Sequence, residues 1–379
     1  MSIAIDLDTY LARWTPNGSQ TRSKKDLVTP ALDLVRADGA MVFDHTGRAY
    51  YDWISGLCAI TLGHQHPAVE EAVRRQLAVG TVFPLPTRLE AVVAERLCEV
   101  LGWPEQVRWV KTGSEATAGA MLIARQATGR RKILSIGYHG WHPSHLPGPE
   151  VQCLPAEVGA PWEWIDPDTA AVIIEVLRQG PEVGAVEAAW TMGRKAWVER
   201  IRRKAEAVGA LVIMDEIVTG FRWAIGGATD FLGLPAPDLA CFGKGMANGY
   251  PVAAIVGSRN LLRHAEGVSS TFGGEAVGLA ACDATIGVYR KEDVIESIWA
   301  VGRDLVNGLG PERMIGYAAH PRFADPTTAK YLSGLAHAHG VIFHPTGFNP
   351  TLAHFRAGAV PPTIDNLTAL MVEGKRDAV

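Results

Sequence analysis

Short apolar runs punctuate the middle of the chain: Val107 to Val110, Lys132 to Ile136, Ala171 to Val176, Leu211 to Met214, Leu239 to Phe242 and Val252 to Val256. Each is too short for an isolated helix and reads as a buried strand. Stretches with apolar residues three and four apart lie between and around them. Ala68, Val69, Ala72, Val73 and Leu77 share one face of a helix opening at Pro67, with Glu70 and Glu71 in the first turn where the helix dipole favours them. Leu89 to Leu101 predicts a second helix, and the residues after Thr112-Gly113-Ser114-Glu115 a third, with Ala116, Ala120, Ile123 and Ala124 on one face. Lys195 to Val208 and the alanine-rich Glu275 to Tyr289 add two more. Buried strands interleaved with helices predict an α/β fold, an open sheet whose strand ends form the ligand-binding edge.

The two ends of the chain follow another pattern. Met41 to Asp44 and Ala49 to Trp53 flank His45-Thr46-Gly47-Arg48 as a hairpin would. Beyond about Asp293 a helix runs to Leu305, and short strands (Met314 to Ala318, Val341 to His344, Thr351 to Phe355) alternate with helical segments. The expected organisation is an N-terminal arm and small-domain part at 1–60, a large domain at 61–290 and a C-terminal small α+β domain at 291–379, which residues from the N-terminus join.

Composition changes this picture little. A length of 379 residues suits one large and one smaller domain, and a net charge of −4 with 20% charged residues gives no basic stripe for nucleic acid and no membrane-surface patch. No apolar run reaches the roughly eighteen residues of a membrane span. Met1-Ser2-Ile3 leads into Asp6 and Asp8, without the features of a secretory signal, so the expected compartment is the cytoplasm. Cys58, Cys98, Cys153, Cys241 and Cys282 are odd in number and scattered, which predicts reduced thiols with neither a disulfide framework nor a zinc site.

Candidate chemistry sits at the strand ends. The run Leu211 to Met214 ends on Asp215 and Glu216, and Leu239 to Phe242 ends on Gly243-Lys244-Gly245, where two glycines leave the amine uncrowded. A lysine and an aspartate so delivered are the groups that pyridoxal phosphate chemistry needs, the amine to condense with the aldehyde and the carboxylate to keep the pyridine nitrogen protonated. The same apolar run ending in Asp-Glu is also the Walker B pattern of an ATPase. Gly113 and Ser114, at a helix N-terminus after a strand, form a candidate phosphate site, although Thr112 or Ser114 could equally be a plain cap. His139, His142 and His145 invite a metal reading, but Gly140 and Pro143 break any helix that would align them. Tyr138, at the end of a strand, is better placed to lay its ring on a flat cofactor.

Taken in order, TGSEAT, LIARQATGRRKI, YHG, DEIVTGFR, FGKGMANGYPVAA and STFGGEA resemble the class III aminotransferases of pyridoxal-phosphate fold type I, and within that class the glutamate-1-semialdehyde aminomutases. The likeness runs from about Ser19 to the C-terminus. It implies a mostly parallel central sheet flanked by helices, a smaller α+β domain, pyridoxal 5'-phosphate as cofactor and a homodimer with shared sites. It further implies that Gly113 and Ser114 bind the phosphate, Tyr138 stacks on the ring, Asp215 pairs with the ring nitrogen, Ile217 lies against the other face and Lys244 forms the Schiff base. Thr271 would reach the phosphate of a neighbouring subunit, and Ser19 with Arg22 would bind the substrate, the arginine through its carboxylate.

The departures concern specificity. Leu57 stands where the aminomutases have a tryptophan over the active site, Asn349 where they have a glutamate, the stretch near 146–170 is short, and VLRQG after Glu175 lacks the usual pattern. They favour an aminotransferase moving an amino group between a small amino acid or amine and a keto or aldehyde acceptor. Aminomutase activity, or isomerisation or epimerisation of an amino compound, is the alternative. An ATPase would need a glycine-rich loop upstream, but Gly243-Lys244 and Gly374-Lys375 both lie downstream and lack the following Ser or Thr. A catalytically silent binding protein on the same fold would have little use for both Asp215 and Lys244.

Overall fold

The structure is a computed structural model and describes residues 6–25, 29–156, 159–177 and 187–376. Residues 178–180, within the VLRQG departure, lie outside it. The chain forms two compact units, a terminal unit from the described residues of Met1–His66 and Glu296–Val379, and a central unit from those of Pro67–Pro181 and Ala185–Ile295.

The central unit is built on seven strands, in the order Gln106–Val110, Ala253–Gly257, Leu239–Phe242, Leu211–Asp215, Thr169–Ile174, Lys132–Ile136 and Val151–Leu154. Ala253–Gly257 is antiparallel to both of its neighbours, and the other pairs are parallel. Six strands therefore run in one direction, which gives the mostly parallel α/β sheet that the resemblance implies. Thr169–Ile174 is buried at every position, as a strand covered on both faces must be. Helix Gly113–Thr128 lays Ala116, Ala120, Met121, Ile123 and Ala124 on this sheet in one core with Ile133, Ile173, Ile213 and Ile255. Val151–Leu154 was not anticipated, because its Val-Gln-Cys-Leu run is short and only partly buried at the sheet's edge.

In the terminal unit, Leu34–Asp38, Met41–Asp44 and Ala49–Asp52 form an antiparallel meander, and Val341–Ile342 adds in parallel beside Ala49–Asp52. Residues from both ends of the chain share one core, in which Trp53 packs with Leu305, Phe323, Phe343, Phe348 and Leu367. The indole N–H of Trp53 donates to Thr363 Oγ1 at 3.0 Å. The strand expected at Thr351 to Phe355 is instead helix Leu352–Arg356. Thr351 caps it by accepting the His354 N–H, and Leu352, Ala353 and His354 are buried as a helical turn rather than in alternation. Among the described residues no helix is long and apolar enough to cross a membrane.

Gly302, in helix Val294–Leu309, lets the helix approach the chain at Ala318 so closely that a Cβ there would stand 1.7 Å from the Ala318 carbonyl oxygen. Alanine normally stabilises a helix interior by up to about 1 kcal/mol over glycine. Backbone overlap outweighs that gain, so Gly302→Ala should lower stability by about 2–3 kcal/mol in chemical denaturation. A midpoint equal to or above that of the wild type would show that the 318 backbone yields freely.

Candidate active site

Gln106–Val110 runs in the same direction as Leu239–Phe242, because both are antiparallel to the strand between them. The carboxyl ends of the six codirectional strands thus share one edge. That edge delivers Thr112, Tyr138, Glu175, Asp215 and Gly243 to a common neighbourhood.

At the first of these ends Thr112 caps helix Gly113–Thr128, with Thr112 Oγ1 accepting the Glu115 N–H at 3.2 Å. Glu115 Oε2 accepts the N–H groups of Lys111 and Thr112 in return. The cap does not engage the N–H groups of Gly113 and Ser114, which lie at the positive end of the helix dipole, a position that favours an anion. The cap by Thr112 is thus observed, and it uses residues other than Gly113 and Ser114.

Glycines permit close approach around this helix start. A Cβ on Gly113 would stand 2.9 Å from Ile217 Cγ2, and one on Gly243 would stand 3.2 Å from Ile217 Cδ1, so Ile217 is wedged between the helix start and the residue before Lys244. Gly140, at φ +115°, passes so near Ser114 that a Cβ would fall 2.2 Å from its Oγ. Lys244 is half-buried and adopts φ +44°, unusual for a residue with a side chain, on opening the short turn Lys244–Ala247.

The two acids ending Leu211–Asp215 part company. Glu216 turns inward to accept the N–H groups of Ala228 (2.7 Å) and Thr229 (2.9 Å) and the hydroxyls of Thr219 and Thr229. Burial raises its pKa against the pull of those bonds. It braces the following loop.

Asp215 accepts the Ile217 N–H at 3.1 Å through Oδ1, and its Oδ2 lies 2.7 Å from His139 Nδ1. His139 Nε2 faces the Ile136 carbonyl oxygen at 3.0 Å. Both ring nitrogens meet acceptors that have no proton to give, so the doubly protonated imidazolium satisfies the site best. Burial opposes that charge, but the Asp215 hydrogen bond and charge, with Glu175 and the Ile136 carbonyl, outweigh it and raise the His139 pKa. Thr117 Oγ1 donates to the His139 carbonyl at 2.6 Å and lies 3.1 Å from His145 Nε2. Burial pushes His145 down to about 4, so it stays neutral.

Gly113, Ser114, Asp215, Ile217 and the Gly243-Lys244 pair are therefore gathered within one unit. Tyr138 follows the adjacent strand and is 61% exposed, leaving its ring open to a flat ligand. Thr271 stands exposed in the turn at 271–274. Ser19 and Arg22 belong to the terminal unit, where Ser19 Oγ donates to the Thr21 carbonyl and Arg22 opens helix Arg22–Lys25. The role of His139 as partner of Asp215 escaped the sequence reading; its place directly after the strand-end Tyr138 was the only signal.

A chain amine, a buried carboxylate backed by a cation, open N–H groups at a helix start and an aliphatic wedge between glycines suit pyridoxal phosphate. They define a pyridoxal-phosphate enzyme of fold type I. The family model for class-III aminotransferases matches residues 22–146 and 147–315, and the chain belongs to that family. The glutamate-1-semialdehyde 2,1-aminomutase of Syntrophobacter fumaroxidans is 33% identical over 342 residues, 83% of this chain and 78% of the relative. The 2'-deamino-2'-hydroxyneamine transaminase of Streptomyces kanamyceticus is 36% identical over 284 residues, 73% of this chain and 71% of the relative. Among solved structures, the pyridoxal-phosphate internal aldimine form of the FumI protein of Sphingopyxis sp. MTA144 aligns with a TM-score of 0.85 at 26% identity, covering 98% of this chain and 97% of that one. An omega-transaminase from Sphaerobacter thermophilus aligns at 0.79 and 25% identity, covering 96% of each chain.

The raised pKa of His139 has a definite sign in stability. The stabilisation is fully present below the unfolded value of 6.5 and is lost as pH rises through the raised folded value. His139→Gln should therefore lower stability by about 1–3 kcal/mol near pH 6 and by progressively less at higher pH. Urea midpoints of both proteins across that range check this, and a pH-independent gap would mean that His139 is buried neutral.

Proposed function

We propose that this enzyme is an intermolecular aminotransferase, taking an amino group from a small amino acid or amine and giving it to a separate keto or aldehyde acceptor. The single observation that carries the chemistry is the convergence of Lys244, the Asp215–His139 pair and the Gly113–Ser114 helix start on one sheet edge. When bound, pyridoxal phosphate supplies a carbonyl that captures amines and a ring that accepts electrons. Lys244 Nζ would hold the cofactor between turnovers and carry the proton that leaves the amine-bearing carbon of the donor and is regained at the carbonyl carbon of the acceptor. Asp215, backed by His139, would keep the ring nitrogen protonated. The N–H groups of Gly113 and Ser114 would bind the phosphate, and Ile217 and Tyr138 would hold the ring.

Ser19 and Arg22 bind the substrate, the guanidinium taking its carboxylate. Thr271 reaches the phosphate of a partner subunit, so the working form is a homodimer, in the cytoplasm. The large cofactor-binding domain is 61–290, and 1–60 with 291–379 supplies the arm and the small domain. Leu57 and Asn349, standing at positions where the aminomutases have a tryptophan and a glutamate, favour transfer between two substrates, because neither offers a charge to retain a second ammonium.

Lys244→Ala should fold, lose the visible absorbance and the borohydride-reducible adduct of the bound cofactor, and lose activity by at least about 100-fold. A reduced adduct mapping to another lysine would reject the assignment. Given glutamate 1-semialdehyde alone, the wild-type enzyme should form little 5-aminolevulinate, while an amino donor and a separate acceptor together turn over. Efficient conversion of the semialdehyde without a second substrate would restore the aminomutase reading.

A further inference from the structure

The loop that leaves strand Lys132–Ile136 carries both Tyr138 and His139, and it is fastened to helix Gly113–Thr128 at two points. The first is steric, because Gly140 passes Ser114 too closely for any Cβ. The second is the buried hydroxyl of Thr117, one turn into that helix. Thr117 Oγ1 lies 3.0 Å from the Gly113 carbonyl oxygen, 3.2 Å from that of Ser114, 2.6 Å from that of His139 and 3.1 Å from His145 Nε2. A hydroxyl has one proton to give, and carbonyl oxygens only accept. The shortest of these contacts takes the proton to His139.

That assignment fixes the state of His145. With the Thr117 proton committed to a carbonyl, the hydroxyl lone pair facing the ring must meet an N–H, so His145 carries a proton on Nε2. Its Nδ1 is buried and has no hydrogen-bond partner among the described residues. The residue is 8% exposed, so a second proton on Nδ1 would make a buried cation with a donor that meets no acceptor. An idle lone pair costs far less. Burial is the largest influence keeping the ring neutral. The Ser114 carbonyl and Asp215 pull toward charge, while His139 and His142, with ring centres 6.5 Å and 6.4 Å away, push against it. From strand Val151–Leu154 the Cys153 thiol faces only the His145 carbonyl, at 3.4 Å.

We propose that His145 is a positioning residue: as a neutral N–H donor it latches the loop onto helix Gly113–Thr128 through Thr117, and so keeps His139 on Asp215. The proposal rests on the reading of Asp215 and His139 as partners of the cofactor's ring nitrogen. Among the described residues no three His, Cys, Asp or Glu side chains are placed to share a metal ion, so the histidines of this loop serve it by hydrogen bonding instead. The latch has a definite acid limit. In an opened loop His145 titrates near its ordinary 6.5, and in the closed one near 4, so the hold is fully present above the first value and is lost as pH falls toward the second. His139, whose pKa is raised, contributes with the opposite sign, which separates the two histidines.

The test uses the holoenzyme and compares the wild type with His145→Gln, whose amide N–H replaces the Nε2–H and takes up no proton, with His145→Phe and with Thr117→Val. Amide hydrogen exchange in the peptide spanning residues 138–146, followed by mass spectrometry at pH 7, should be about ten-fold faster in His145→Phe and Thr117→Val and near the wild-type rate in His145→Gln. From pH 7 to pH 5, corrected for the intrinsic exchange rate, the same peptide should open by about ten-fold in the wild type and stay closed in His145→Gln, with the peptide of strand Leu239–Phe242 unchanged in both. The visible absorbance of the bound cofactor should follow that of Asp215→Asn in His145→Phe and Thr117→Val, and that of the wild type in His145→Gln. Wild-type exchange in His145→Phe or Thr117→Val overturns the proposal, as does acid opening in His145→Gln equal to that of the wild type, or wild-type absorbance in both variants that lose the latch. Should His145→Phe or Thr117→Val not fold, the acid response of His145→Gln against the wild type decides. If Asp215→Asn itself keeps the wild-type absorbance, the ring-nitrogen reading fails, while exchange still judges the latch.

Discussion

The structure of the candidate site depends on strand direction. A parallel strand presents its last residues where its neighbours present theirs, so groups more than a hundred residues apart in sequence, such as Gly113 and Lys244, meet without any local signal drawing them together. Ala253–Gly257, the one strand running the other way, preserves this arrangement by separating two codirectional strands. Had Gln106–Val110 paired directly and antiparallel with Leu239–Phe242, the Thr112 cap and its open N–H groups would lie at the opposite end of the sheet from Asp215.

A second constraint is the accounting of buried charge. Asp215 and Glu216 are adjacent and both buried, and each would be costly without partners. The pleat sends them to opposite sides, and the solutions differ accordingly. Glu216 is closed off by four donors from its own loop, which leaves it nothing to do chemically. Asp215 has one oxygen on a backbone N–H and the other on a histidine, so its charge is balanced by a partner that is itself held by Ile136. The geometry thus encloses one carboxylate in its own loop and leaves the other at the strand-end edge, paired with a histidine.

Much of this was legible in the residues. Six of the seven strands of the central sheet stand out as short apolar runs because burial on both faces leaves no polar alternation, and Val151–Leu154 is missed because an edge position tolerates Gln152 and partial exposure. The clustering of Gly113, Asp215, Ile217 and Lys244 follows from their strand-end positions. His139 was hidden because nothing local marks a histidine whose partner is 76 residues away. The helix at Leu352–Arg356 was read as a strand because a five-residue apolar segment has no period long enough to decide, and the cap of Thr351 decided it.

The pairing of Val341–Ile342 with Ala49–Asp52, and of Trp53 with Thr363, has a consequence for how the protein comes to exist. As the ribosome delivers the chain from the N-terminus, the hairpin at Met41–Asp44 and Ala49–Asp52 emerges early but lacks the strand and the aromatic core that cover it. At roughly 5–20 residues per second those partners arrive tens of seconds later, after the whole central sheet has been made. Through that interval Trp53 lacks the aromatic core it packs in, and the edge of the three-stranded meander that Val341–Ile342 later covers is unpaired. Residues 49–53 are thus made well before Val341–Ile342 and Thr363, and reach their final packing only after those later partners have followed the central sheet.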